Sequence, residues 1–166
     1  MRLTGPHQYR LLIQPGGSTY QHDPNSGHVH FVAPVTTRAP KLYVVSAGTE
    51  LIYVGQTVQS IRARMRLGFS ADGAGGYYGY AWRHHYAAVD LRIWLLEDAP
   101  EDTELIDLQT IEAELVYLLR HRRSQWPSYQ TEIHFYPSKP IHCHLAEQVF
   151  THCFPGATPN EQSTVA

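Results

Sequence analysis

One amphipathic segment, residues 102–123, constrains the fold of this chain more than any other feature of its sequence. Its apolar side chains recur at the three- and four-residue spacing of a helix face: Leu105, Leu108, Ile111, Leu115, Leu118 and Leu119. Glu112 falls about 60° from the centre of this stripe, whereas Glu114 falls about 100° away, toward solvent. A carboxylate on a buried face is costly unless it is paired or binds a metal. The helix alone leaves two interpretations of Glu112 open, a stripe edge that reaches solvent and a functional site.

Runs rich in β-branched and aromatic residues lie on both sides of this helix in the sequence. Residues 42–45 and 51–55 flank a short turn that contains Gly48, a pattern typical of a β-hairpin. Residues 87–96 alternate apolar and polar side chains and predict another strand. Three further runs predict strands, the first two as an N-terminal pair: residues 9–14, 28–32 and 131–136.

Two shorter segments predict helices, and a third predicts a loop. Residues 57–67 carry apolar side chains at i, i+3 and i+7, with Thr57 as the N-cap and Gly68 as the stop. Residues 141–154 predict the last helix of the chain. Residues 73–79 are too rich in glycine for a regular element, so we expect a loop there.

The composition of the chain bounds its class. A length of 166 residues favours one domain. The net charge of −2 gives no global basic field, yet eleven of the 13 Lys and Arg residues are arginine, which binds phosphate bidentately and stacks on bases. No apolar run reaches the length of about 18 residues that a membrane span needs. The N-terminus also lacks the apolar stretch of a secretory signal, so we expect a cytoplasmic protein.

Four side chains from separate segments are chemically sufficient for phosphodiester hydrolysis. Tyr43 and Tyr53 lie on the two strands of the predicted hairpin, and Arg64 lies on the helix that follows. Together with Glu112 they supply two phenols, a guanidinium and a carboxylate. A carboxylate can hold a divalent cation, the metal and arginine neutralise charge at phosphorus, and a phenol helps to deprotonate water. Each signal is weak by itself, because strand tyrosines usually belong to a core and helix arginines are usually solvated.

The order and spacing of these residues resemble those of the GIY-YIG nuclease family. The tripeptide KLY at 41–43 stands where the family has its first motif, and YVG at 53–55 closely matches the second. Arg64 follows at a spacing that some members use. Two later segments resemble the family's metal-binding glutamate region and its Pro-x-Tyr-Asn: IEAELVY at 111–117 and WPSYQ at 126–130. The likeness covers about residues 41–136.

The resemblance implies an α+β fold with a small, mostly antiparallel three-stranded central sheet flanked by helices. This nuclease-like domain would occupy residues 39–155, after an N-terminal strand extension over residues 1–38 and before a polar tail over residues 156–166. The resemblance also implies a hydrolase that uses one Mg²⁺ or Mn²⁺ ion. We therefore expect a metal-dependent endonuclease that cuts DNA.

The same resemblance implies a role for each residue of the predicted site. Tyr43 would lie near the attacking water as its general base or relay, and Tyr53 would orient the phosphate or the water. Arg64 would stabilise the transition state, and Glu112 would be the sole protein ligand of the metal. The motif and the position within the helix stripe both favour Glu112 over Glu114.

The chain departs from the family pattern at three positions. The family's leading glycine is Lys41 here. Many members carry a histidine one turn after the catalytic arginine, where this chain has Gly68, so His84 or His85 is the candidate replacement. Gln130 stands where the family usually has asparagine, and it keeps the amide on a side chain one methylene longer.

Several further side chains are candidates for contact with nucleic acid. Those closest to the predicted site in sequence are Arg62, Arg66, Arg83, His85 and Gln130, and those at the end of the long helix are Arg120, Arg122 and Arg123. The tyrosines of the loop at 73–80 would stack on bases or would belong to a plain surface loop. Because one such site cuts one strand, cleavage of a duplex would need a homodimer or two binding events.

Two other functions remain open at the level of sequence. The first is a catalytically degenerate module that keeps this fold to bind nucleic acid or a protein partner, and the second is an enzyme directed at RNA. A zinc site is not expected: His142 and His144 lie two residues apart on a predicted helix, and such side chains diverge by about 200°.

Overall fold

The structure, a computed structural model, describes residues 1–14, 19–22, 27, 29–100 and 104–156. Within these ranges the chain is α+β, as predicted, with five strands, three α-helices and two short 3-10 helices, Ala74–Gly76 and Ala81–His84. The strands are β1 (Arg2–Ile13), β2 (Thr19–His22), β3 (Lys41–Ala47), β4 (Glu50–Thr57) and β5 (Ala88–Glu97). The helices are α1 (Ile61–Ser70), α2 (Glu104–Arg123) and α3 (Pro140–Cys153).

The strands form one antiparallel sheet in the order β2-β1-β5-β3-β4. Its β5-β3-β4 part is the three-stranded unit that the resemblance implied, and it includes the predicted hairpin. The N-terminal residues do form a strand pair, β1 with β2, but its second strand is not the predicted one. Strand β1 also pairs with β5 from Arg2 to Leu12, which joins the pair to this unit. The N-terminal extension is therefore part of the same sheet.

Two predicted strands are wrong. The partner of β1 is Thr19–His22; of residues 28–32, residue 28 lies outside the described part of the chain and the others form no regular element. Phe31 instead buries its ring against Tyr9, with centroids 4.8 Å apart, so the side chain serves the core without backbone pairing. Residues 131–136 also form no regular element, and Phe135 within this segment is 77% exposed.

The boundaries of α1 differ from the prediction at both ends. Thr57 is the last residue of β4, and the N-cap is Ser60, whose hydroxyl accepts a hydrogen bond from the Ala63 amide at 3.2 Å. The helix continues through Gly68 to Ser70, so this glycine does not end it. Gly68 instead leaves room for a ring that packs closely against the helix. The predicted start of the long helix, Asp102, lies outside the described residues.

The sheet carries a hydrophobic cluster on each face. Helices α2 and α3 cover the face that includes Leu42 and Val44, while α1 and the segment after it cover the face that includes Tyr43 and Val45. This alternation is the two-residue period of a strand. Because β4 is an edge strand, α1 and α2 approach it from opposite faces, and side chains from both helices meet around it. No described helix has the length and apolar character required to cross a bilayer.

Candidate active site at the edge strand

A cavity of about 580 Å³ lies beside β4, where side chains from both helices and two loops converge. Tyr53 enters it from β4, Arg64 from α1 and Glu112 from α2. Tyr43 lies next to these residues, hydrogen-bonded to Arg64. The tertiary structure therefore brings together all four predicted site residues, which span 70 positions of the sequence.

Tyr43 occupies the centre of the cluster and is fully buried. Its hydroxyl accepts a hydrogen bond from Arg64 Nε at 3.2 Å and lies 3.0 Å from the hydroxyl of Tyr80. Gly55 pairs with Tyr43 across the hairpin, and a Cβ at that position would lie 2.6 Å from the Tyr43 hydroxyl. The glycine of the YVG tripeptide is therefore required so that the phenol fits between the strands.

The phenols of the cluster are protonated at neutral pH. Burial raises the pKa of Tyr43 well above its ordinary value, and the nearby Tyr80 raises it further. Burial likewise raises the pKa of Tyr53, with additional contributions from Tyr43 and Glu112. Tyr43 does not line the cavity, so the expectation that it lies near an attacking water does not fit this geometry. Tyrosines other than Tyr43 line the cavity.

Glu112 is the buried carboxylate that its helix position predicted, with 9% of the residue exposed. Its Oε1 accepts a hydrogen bond from Gln130 Nε2 at 2.9 Å. Burial raises the pKa of Glu112 to about 7, although the bond from Gln130 and the charge of Arg64 act in the opposite direction. Glu114, by contrast, lies outside the cavity and accepts a hydrogen bond from Ser138.

Gln130 is committed to the protein interior. Its Oε1 accepts a hydrogen bond from the Val54 amide of the edge strand at 3.0 Å, and its Nε2 also donates to the Glu132 carbonyl at 3.0 Å. With the bond to Glu112, the amide uses its oxygen and both of its N–H groups. The prediction that Gln130 contacts nucleic acid is therefore wrong, and the residue instead orients Glu112.

Arg83 and the two histidines also have different places from those predicted. The Arg83 guanidinium donates to the carbonyls of Gly68, Phe69 and Ala71 at 2.7–2.9 Å, so it caps the C-terminus of α1. His84 accepts a hydrogen bond from Arg83, and the exposed His85 packs its ring on Tyr129. Neither histidine lines the cavity, so neither replaces the missing family histidine.

The remaining candidate cations lie away from the cavity. Arg62 and Arg66 are exposed and stand two residues either side of Arg64, which puts them on the opposite side of α1. Arg122 pairs with Glu147 at 2.6 Å. Two further arginines complete the set, Arg120 exposed on α2 and Arg123 above the ring of Phe154. Arg64 is thus the one arginine or lysine among the described residues that line the cavity.

Lys41, which replaces the leading glycine of the first motif, is a structural residue. It is fully buried at the start of β3, and its ammonium donates to the carbonyls of Thr37, Ala39 and Gln59. Burial lowers the pKa of Lys41 to about 8. The lysine ties the preceding segment to the hairpin and takes no part in the cavity.

Tyr80 was a candidate only as one of the loop tyrosines that would stack on bases, and sequence analysis missed its place beside Tyr43. Its ring packs on the helix at the place that a Cβ of residue 68 would occupy, and its amide donates to the Gly68 carbonyl at 3.0 Å. Gly79, at φ +68°, provides the turn that delivers it. The signal in the sequence was a glycine inside a helix pattern together with a Gly-Tyr loop, but pairing the two requires the tertiary structure. The same loop lines the cavity with Tyr77 and Tyr78.

Two carboxylates, Glu112 and Glu132, line the cavity, and the buried one, Glu112, could hold a single hard cation. Glu112 accepts its hydrogen bond from Gln130 through Oε1, which leaves Oε2 as the oxygen for a cation. Mg²⁺ keeps several waters and is typically bound through one or two carboxylates plus substrate phosphates. The described residues contain no cluster of three or more His, Cys, Asp or Glu side chains that could cage a metal. These residues could therefore hold Mg²⁺ or Mn²⁺ together with a substrate phosphate, with Glu112 as the protein ligand.

No family model, curated protein or solved structure matches this chain.

Proposed function

We propose that this protein is a metal-dependent endonuclease that hydrolyses phosphodiester bonds in DNA, with a centre like that of the GIY-YIG nucleases. The observation that carries the proposal is the convergence of Tyr53, Arg64 and Glu112 on one cavity, with Tyr43 bonded to Arg64. These residues come from two strands and from helices on opposite faces of the sheet. A core would not need a guanidinium and a carboxylate at this place.

Each residue has a distinct part in the proposed reaction. Arg64 carries the positive charge that binds the phosphate and stabilises the charge that develops on it in the transition state. Glu112, oriented by Gln130, would hold Mg²⁺ or Mn²⁺, which would supply Lewis acidity at the phosphate and would activate water. Tyr53 lies at the cavity wall, where it orients the phosphate or the water. The buried Tyr43 fixes the Arg64 guanidinium.

The proposal extends to the partner and the setting. The substrate is DNA in the cytoplasm, and a duplex is cut through a homodimer or through two successive binding events, because one centre cleaves one strand. With a single arginine in the cavity, affinity for DNA would depend on the more distant exposed arginines, so binding should weaken steeply as salt concentration rises.

A second candidate is a degenerate module that binds nucleic acid or a protein partner without cleaving. Two observations favour it: Tyr43 is sealed from the cavity, and Arg83 and Gln130 are engaged within the protein. These features reduce the groups available to substrate, but they leave Arg64 and Glu112 in the cavity. We therefore rank the nuclease first.

The deciding experiment is a nicking assay on supercoiled plasmid with Mg²⁺ or Mn²⁺. The wild type should convert the plasmid to nicked or linear DNA, EDTA should stop the reaction, and Glu112→Gln should abolish it. Glu114→Gln is the matched control, because it makes the same change two residues away, outside the cavity, and should cut like the wild type. Binding of plasmid without cleavage in either metal would favour the module, and cleavage of a matched RNA alone would redirect the proposal to RNA.

A further inference from the structure

The hydrogen bonds around Tyr43 have a fixed direction. A guanidinium donates and cannot accept, so in the 3.2 Å contact Arg64 Nε is the donor and the Tyr43 oxygen is the acceptor. Tyr43 still has its own hydroxyl proton to place, and the residue is fully buried. A buried hydroxyl without an acceptor is destabilising. Among the described residues, the remaining hydrogen-bond partner of this hydroxyl is Tyr80, at 3.0 Å.

The proton of Tyr43 therefore points to the oxygen of Tyr80. Burial raises the pKa of both phenols, so both keep their protons at neutral pH. The hydrogen bonds run in one direction, from Arg64 to Tyr43 to Tyr80, and the Tyr80 proton is left over at the end.

The cavity is the place where that last proton can find a partner. Tyr80 lines the cavity, whereas Tyr43 does not. Its ring is held on several sides: it stacks on Trp82 at 5.0 Å, meets Phe69 edge-on at 5.7 Å and packs on Gly68. The hydroxyl is thus a fixed donor beside Arg64, whose guanidinium also lines the cavity. Bonds in such a chain polarise one another, which strengthens the terminal donor.

We propose that the Tyr80 hydroxyl donates a hydrogen bond to a non-bridging oxygen of the scissile phosphate, as the end of the Arg64–Tyr43–Tyr80 chain. This inference rests on the proposed nuclease function and deepens it. It assigns Tyr80 to binding the phosphate rather than to removing a proton from water, because its oxygen accepts from Tyr43 and its side chain lines the cavity. Arg64 acts twice, as a charge at the cavity and as the start of the chain.

The test replaces the hydroxyl and keeps the ring. In Tyr80→Phe, the nicking rate of supercoiled plasmid under enzyme excess should fall by about 10²–10³, the usual effect of removing one transition-state donor. Binding to a duplex oligonucleotide in EDTA, measured by fluorescence anisotropy, should change little. Tyr117→Phe removes an exposed hydroxyl on α2, away from the cavity, and should nick like the wild type. A wild-type nicking rate in Tyr80→Phe would overturn the inference and leave the nuclease proposal standing.

A second measurement does not depend on cleavage. With tyrosine labelled at ζ-¹³C, the Tyr80 resonance is identified by its loss in Tyr80→Phe, and inorganic phosphate is titrated into the wild type. The Tyr80 resonance should shift with phosphate, and Arg64→Gln should weaken that shift. If the wild type nicks no DNA, this titration still decides: a phosphate-dependent shift supports Tyr80 as the donor, and an unmoved resonance overturns it. Should Tyr80→Phe fail to fold, Tyr43→Phe breaks the chain one step earlier and should slow nicking by at least severalfold.

Discussion

Replacing Glu112 by glutamine should change how the stability of the protein depends on pH. Burial raises the pKa of this carboxyl to about 7 in the folded state, against an ordinary value of 4.5. Between these two values the folded state holds more protons than the unfolded state, so the free energy of unfolding falls as pH rises from about 4.5 to about 7. Glutamine has no charge to bury and still accepts the bond from Gln130.

The size of the effect follows from the shift. The pKa of Glu112 differs by about 2.5 units between the folded and unfolded states. At about 1.4 kcal/mol per unit, this corresponds to about 3 kcal/mol in the free energy of unfolding. Because 9% of the residue is exposed, little of this is lost to solvent screening. Glu112→Gln should therefore gain about 3 kcal/mol relative to the wild type between pH 4.5 and pH 8, in the absence of a divalent metal.

Urea unfolding followed by tryptophan fluorescence measures this directly. The quantity to plot is the difference in unfolding free energy between variant and wild type at each pH, because other titrating groups cancel in it. Glu114→Gln is the control and should leave the wild-type dependence in place. A difference that stays flat from about pH 4.5 to about pH 8 would refute the burial argument. Under the nuclease proposal, Mn²⁺ at about pH 8 should raise the stability of the wild type and leave Glu112→Gln unchanged.

Three further changes test other contacts. Gly68→Ala should lower the melting temperature, because a Cβ there collides with the Tyr80 ring and overpacking of a core typically costs about 1–3 kcal/mol; a melting temperature at or above that of the wild type would contradict the packing. Gln130→Ala should raise the pKa of Glu112, whose bond from Gln130 lowers it, and the pH of half-maximal metal binding should rise with it. Burial lowers the pKa of Lys41 from 10.5 to about 8 in the folded state. Between these two pH values the unfolded state holds more protons than the folded state, so the free energy of unfolding should rise with pH from about 8 to 10.5. Urea unfolding of Lys41→Met should lack this rise, and an equal rise in both proteins would assign it elsewhere.

The elements that the sequence predicted well are those with a local pattern. The hairpin of β3 and β4, the strand β5 and the long helix α2 each carry a period that identifies them over their own length. The two false strands, 28–32 and 131–136, have the right residue types but no neighbour to pair with among the described residues. Strand propensity describes a side chain that fits a half-buried surface, and Phe31 found such a surface without joining the sheet.

The predictions for the candidate site likewise succeeded where they depended on local geometry and failed where they depended on contacts between distant elements. The helix stripe favoured Glu112 over Glu114 as the inward-facing carboxylate, but helix geometry left open whether Glu112 reaches solvent, and the packing around it decides that it is buried. The assignments of Arg83 and Gln130 to nucleic acid were wrong, since both side chains satisfy backbone groups of distant elements. Sequence distance gives no warning of such partners.

The sequence by itself determined the hairpin with its two tyrosines and the helices that carry Arg64 and Glu112, because these depend on short-range periodicity and residue type. The α+β class followed from the family resemblance that these elements carry. Only the tertiary structure decided that Tyr43 is sealed and that Tyr80 reaches the cavity. That outcome depends on the edge position of β4, which lets two helices meet from opposite faces, and on Gly68, which leaves room for a ring from the loop that follows α1. Contacts of this kind are set by how elements pack, and no local pattern encodes them.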